Sequence, residues 1–308
     1  MKNYFRLFGL IGIGIFIYLL LNINLSVLLT SFKSMNYLYF FISLLFILPA
    51  IVIKVIKWLL IVDKEDRINL VDGIFAWVAG FSLGIITPGK LGDFTRAKFL
   101  KSKPGKSLLS VLIDRLNDIF VLFIFGIFSV FILFSNKTHL SNLGYLFLLF
   151  FAFFIIGISI LRNEKLIKKI GVPFYKYFIP KKFKKSIGEN FNIFYRSFEK
   201  IEKRKIFVNF LLTILAWFVG FIQYWFLSLA FGLNISYFLI CLITPILLLV
   251  QLIPISISGI GTREAASILL LSNFGISPEL AIAFSLGILI EDYLLGGVGL
   301  LFWLKIKS

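Results

Sequence analysis

Apolar residues run along this chain in six near-continuous stretches, 7–29, 37–58, 111–134, 143–161, 207–231 and 279–304. Each is long enough, at about 1.5 Å per residue in a helix, to cross a hydrocarbon core of about 30 Å. Two further apolar stretches behave differently. Gly73–Thr87 is too short for a span and gives way to Pro88-Gly89-Lys90-Leu91-Gly92-Asp93-Phe94-Thr95-Arg96. The stretch from 237 is broken at Pro254-Ile255-Ser256-Ile257-Ser258-Gly259-Ile260-Gly261-Thr262-Arg263-Glu264. Backbone that leaves the helix at membrane depth is tolerated where it is buried in protein or lines a wet cavity, and paired breaks in two halves point to a transport site.

The pattern predicts an all-α polytopic membrane protein of six transmembrane helices plus two re-entrant helical hairpins, 73–100 and 237–272. Charge selects this arrangement over eight full spans. Residues 162–205 carry 14 Lys or Arg against four Glu, and 90–106 is also basic. Only re-entrant hairpins keep both segments, and both termini, on the cytoplasmic face of the cell membrane. The whole chain, 1–308, is then one membrane domain. Residues 37–134 and 207–304 are half-repeats of opposite sense, and 162–205 is a basic cytoplasmic loop lying on anionic headgroups. A shift of 173 residues superposes Asp118 on Glu291 and Gly126 on Gly299.

Composition agrees: the 308 residues are 59% hydrophobic and 15% charged, which excludes an ordinary soluble domain. The net charge of +17 sits in loops beside spans, so it calls for anionic lipid and no nucleic acid. One cysteine, Cys241, and one histidine, His139, allow no disulfide and no Cys/His metal site within the chain, and no cofactor is expected. The triplets at Asn136 and Asn234 match a glycosylation acceptor but carry little weight so close to a membrane.

Ionisable residues within spans each cost at least about 2.5–3.5 kcal/mol on insertion scales and default to functional hypotheses. Asp114 and Asp118 share a helix face, while Arg115 points elsewhere, towards the first hairpin. Glu291 and Asp292 lie near the middle of their span, and one of them should meet Arg263. Arg96 and Arg263 follow the hairpin glycines Gly89, Gly92, Gly259 and Gly261. Two readings stand together. Arginine forks beside accessible glycine amides would hold a phosphate headgroup, with Asp93, Asp114, Arg115, Asp118, Glu264, Glu291 and Asp292 forming a coupling network. Alternatively, Arg263–Glu264 and Arg115–Asp118 are internal ion pairs that fix the hairpins.

In order and spacing, Thr87-Pro88-Gly89-Lys90-Leu91-Gly92-Asp93 with Arg96, Asp114-Arg115 with Asp118, and Pro254 through Glu264 resemble the transmembrane family of lysylphosphatidylglycerol synthases, also called flippase-like integral membrane proteins. Members typically carry Glu where Asp93 and Asp114 stand here. The resemblance implies a lipid-translocating module handling a phospholipid or a polyprenyl- or dolichyl-phosphate carrier. The chain ends soon after its last span, at Ser308, so no aminoacyl-transferase chemistry is expected. Expected partners are membrane lipids, with self-association left open. The rival readings are an intramembrane enzyme acting on lipid-linked phosphate and an accessory subunit.

Overall fold

In a computed structural model, residues 2–134, 141–169 and 181–306 are described. They form helices only, with no strand among the described residues. His139, the triplet at Asn136 and the aromatic cluster at 174–178 lie outside them. In chain order the helices are α1 (Lys2–Leu21), α2 (Leu25–Lys33), α3 (Tyr37–Ile61), α4 (Leu70–Ile85), a 3₁₀ segment (Pro88–Phe99), α5 (Pro104–Phe134), α6 (Ser141–Arg162), α7 (Lys181–Lys200), α8 (Lys203–Ala230), α9 (Tyr237–Leu252), α10 (Thr262–Leu271) and α11 (Pro278–Ile306).

Five of these helices, α3, α5, α6, α8 and α11, are long and apolar enough to cross a membrane. The first apolar stretch does not form the single straight span expected over 7–29. It breaks after Leu21, and the two pieces meet at 94°. The cause is local. Asn24 accepts from the amides of Ser26 and Val27 and starts α2 anew, while its own N–H donates to Glu279 of α11 at 3.1 Å. Asn36, Asn69 and Ser236 cap α3, α4 and α9 in the same way.

Both broken segments fold as hairpins. In the first, α4 and the 3₁₀ segment lie against each other, and the contact requires glycine: a Cβ at Gly92 would meet the Leu83 backbone. Gly89 and Lys90 turn the tip with φ of 61° and 55°. In the second, α9 and α10 flank an irregular loop, 253–261, where Gly259 and Gly261 have φ of 78° and 85°. The two tips meet each other. Ser258 Oγ donates to Ile85 O, a contact between residues 173 apart, the same offset that relates Asp118 to Glu291.

The packing of the two halves corresponds element by element. The 3₁₀ segment packs on α5 as α10 packs on α11, and α4 rests on α3 as α9 rests on α8. Across the halves α4 packs on α11 and α9 on α5, while α3 and α8 run along each other. A Cβ added to Gly126 of α5 would meet Leu249 of α9, and one at Gly299 of α11 would meet Val78 of α4, so both close approaches are also matched.

The basic segment is not loop throughout. Residues 181–200 form α7, whose Phe194 and Phe198 pack on Leu109 and Ile113 at the foot of α5, and Tyr195 donates to Leu161 O at 2.9 Å. The aromatic spacing there marks a docking face for α5, which accounts for the departure from a solvated linker.

Candidate functional site

The charged residues fall into two groups, one in each half. In the first, Lys57 of α3 reaches Asp114 at 2.6 Å and Asp118 at 2.9 Å, and Arg96 of the first hairpin reaches the other oxygen of Asp114 at 2.6 Å. Asn209 of α8 donates to Asp114 at 3.1 Å and to Lys57 O at 2.7 Å. Arg115 turns to the hairpin, as its position on α5 predicts, and holds Asp93 at 2.7 Å with Asp118 at 3.5 Å. Three cations meet three carboxylates, and Lys57, Asp114 and Arg96 are fully buried. The Arg96 guanidinium also lies over the Trp58 ring at 4.7 Å.

The second group is looser. Glu264 reaches back to the Gly261 amide at 2.6 Å and accepts from Ser285 of α11 at 2.8 Å. Arg263 donates through Nε to Ser285 at 3.0 Å, but its terminal nitrogens stand 3.6 Å from Glu264 and 3.9 Å from Asp292. Neither terminal nitrogen has a hydrogen-bond partner among the described residues. Asp292 accepts from Gln251 at 3.4 Å. Glu291, 1% exposed, contacts Ser43 of α3 through one oxygen and accepts from Gln223 of α8 at 2.7 Å through the other.

Arg96 and Arg263 therefore face carboxylates of the protein itself. The amides of Gly92 and Gly261 are also engaged, by Thr87 Oγ1 and by Glu264. What opens between the halves is a small open cleft of about 70 Å³, reached by Lys54 of α3, Lys90 of the first hairpin tip, Trp217 and Gln223 of α8, and Glu291 and Asp292 of α11. Lys54 Nζ sits 4.3 Å from the Trp217 ring centre and 5.7 Å from that of Trp77, and Lys90 Nζ lies 5.6 Å from that of Phe81. Neither lysine has a carboxylate within ion-pair distance among the described residues. The indole nitrogen of Trp217 is buried without a hydrogen-bond partner among the described residues.

Lys54, Lys57, Ser43, Asn209 and Gln223 were not among the residues that the spacing of motifs singles out. A signal for the first two exists: lysines three apart inside an apolar helix are costly and need partners or a wet cavity. No group of His, Cys, Asp and Glu among the described residues has the arrangement of a metal site.

The apolar spans, the matched hairpins and the buried charge clusters define a multi-pass α-helical membrane protein with a polar cleft between its halves. Its family follows from the sequence: residues 7–298 match the Lysylphosphatidylglycerol synthase TM region, and the chain belongs to that family. No curated protein and no solved structure matches the chain.

Proposed function

We propose that this protein moves a phosphate-bearing lipid, a phospholipid or a polyprenyl-phosphate carrier, between the leaflets of the cell membrane without altering it chemically. Both termini and the basic segment are cytoplasmic in this reading. The observation that carries it is the pair of lysines, Lys54 and Lys90, that line a cleft between the two hairpin-bearing halves without a carboxylate partner. An ammonium within a low-dielectric bundle is costly unless an anion joins it, and a lipid phosphate is an anion that reaches this depth. Aromatic faces hold Lys54 meanwhile.

Arg263 stands behind Asp292 with two guanidinium nitrogens lacking hydrogen bonds, so it supplies further donors as the phosphate enters. Arg96 with Gly89 and Gly92 on one side, and Gly259 with Gly261 on the other, shape the tips between which the headgroup passes. The chain of the lipid stays in the bilayer.

The test is reconstitution into liposomes holding fluorescent phosphatidic acid, with leaflet distribution and total lipid mass followed together. Redistribution at constant mass, lost in Lys54→Ala and Lys90→Ala at matched levels of folded protein, is the expected result. A change in lipid mass identifies an enzyme instead, and redistribution indifferent to both lysines overturns the cleft as the route.

A further inference from the structure

The two halves can be compared at the level of single hydrogen bonds, and the comparison isolates Glu291. Asp118 and Glu291 occupy matching places on α5 and α11, 173 residues apart. The carboxylates of the first half are held by Lys57 from α3 and Asn209 from α8. Glu291 is held by Gln223 from α8 and Ser43 from α3. These holders also correspond, since Ser43 to Asn209 and Lys57 to Gln223 are both steps of 166 residues. The second half thus has an amide where the first has an ammonium.

One arrangement of the hydrogens around Glu291 leaves it neutral and every group bonded. The Ser43 hydroxyl has a single hydrogen and lies 2.7 Å from Phe40 O, the acceptor a helical serine commonly uses. With that hydrogen on Phe40 O, the contact between Ser43 Oγ and Glu291 Oε1 is a hydrogen bond only if Glu291 is the donor. Gln223 donates to the other oxygen, as it would to the carbonyl of a carboxylic acid. All four groups are then satisfied.

Charged and titratable groups facing this point from each neighbouring element leave the assignment standing. On α11 the neighbour is Asp292, a like charge that points to Arg263 of α10 and Gln251 of α9. On α8 it is Tyr224, and on α4 the cleft is lined by Trp77 and Phe81. Lys54 and Lys90 share the cleft but rest on aromatic rings, and no described cation lies within 4.0 Å of Glu291.

We propose that Glu291 is a proton-binding site coupled to the anion site of the cleft, so that a proton and a lipid phosphate are taken up together. This rests on the transport reading above for its second partner, though not for the proton itself. With Lys54 and Lys90 against Asp292 and an ionised Glu291, the charges lining the cleft balance. With the proton on Glu291 the cleft carries one net positive charge, which suits a phosphate. Loss of the proton to water leaves a carboxylate within the cleft that draws Lys54 away from the phosphate. Each ligand then raises the affinity for the other by the same factor.

Infrared difference spectroscopy of the purified protein against Glu291→Gln tests this directly. The wild type should show the carbonyl stretch of a protonated carboxyl at neutral pH, bleached on alkalinisation, and Gln223→Lys should abolish it at neutral pH by restoring the ammonium of the first half. Affinity for short-chain phosphatidic acid should fall about tenfold per pH unit above the bleaching midpoint and become independent of pH over that range in Glu291→Gln. Absence of a Glu291-dependent band, or a band indifferent to Gln223→Lys in protein with an unchanged melting temperature, overturns the proposal. A titrating band in protein that moves no lipid removes the transport reading alone, and lipid movement without the band removes the proton site alone.

Discussion

Asp114→Asn isolates the energetics of the first charged cluster. The side chain is 0% exposed and faces Lys57 and Arg96 at 2.6 Å each, with Asn209 at 3.1 Å. The substitution keeps the shape and removes the charge. Lys57 retains Asp118 at 2.9 Å, so it is only partly stranded. Among the described residues Arg96 has no other carboxylate within ion-pair distance, and its Nε and Nη1 already lack hydrogen-bond partners. One buried cation left without its partner costs about 3–5 kcal/mol, and the lower end applies here because Trp58 still covers the guanidinium and Asn retains an acceptor. Adding Arg96→Met removes the stranded charge, which should restore at least about 2 kcal/mol and give a non-additive cycle. Reversible unfolding in mixed micelles titrated with SDS measures both. A loss below about 1 kcal/mol in the single variant, or a double variant as unstable as the sum of the singles, would refute the assignment of Asp114 as the counter-ion of Arg96.

Four further outcomes are expected. In a protein lacking Cys241, cysteines at Lys101 and Lys168 should label from the cytoplasmic side only and one at Ser272 from outside, and external labelling at Lys101 would remove the re-entrant hairpin. Lys54→Ala should weaken phosphatidic acid binding far more than Lys168→Ala, because Lys168 is half-exposed to salt and already pairs with Glu164 at 2.6 Å; equal effects would indicate general surface attraction. Gly261→Ala should lower the melting temperature markedly, since φ is 85° and a Cβ would strike Gly12 O of α1, and an unchanged melting temperature would show that α1 is not seated there. Cysteines at Ile86 and Ser258, next to the contact between the hairpin tips, should block lipid movement when oxidised and release it when reduced; movement through the oxidised form would place the route elsewhere.

The hairpins were legible because their signals are local. Proline at 88 and 254 and glycines able to take positive φ interrupt apolar runs, and lipid leaves such interruptions few places to go. The bend after Leu21 was not legible from hydropathy, because Asn22 and Asn24 are diluted by the apolar run 11–21 before them and by Leu25, Val27, Leu28 and Leu29 after them, although an asparagine before Leu-Ser-Val is a capping signal in its own right. The charge pairs needed tertiary structure: Lys57 and Asp114 are 57 residues apart, and Ser43 and Glu291 are 248 apart. The correspondence of Ser43 with Asn209 was hidden for a subtler reason. The helix after each hairpin repeats at 173 residues but α3 and α8 repeat at 166, because the chain from the end of α9 to the start of α11, 253–277, is seven residues longer than that from the end of α4 to the start of α5, 86–103. A single offset therefore aligns one pair of helices and misaligns the other.

The two halves also differ in how closely their buried charges are held. In the first half, ion pairs of 2.6–2.9 Å tie the hairpin and α3 to α5, so hairpin and helices form one charged unit with little freedom to separate. In the second, Arg263 is held at 3.6 and 3.9 Å and Glu291 has neutral partners, so rearrangement breaks no close ion pair. Separating close buried charges costs several kcal/mol, whereas exchanging neutral hydrogen bonds costs about 1 kcal/mol each. If the protein transports lipid as proposed, alternation around the cleft is expected to be cheapest by movement of the second hairpin and α11 against a fixed first half, with Lys54 and Lys90 carried on the fixed side and Glu291 and Asp292 on the moving one. In that reading a phosphate held by the lysines would be approached or abandoned by the carboxyls as the second half moves, which would couple the charge state of Glu291 to the direction in which the cleft opens.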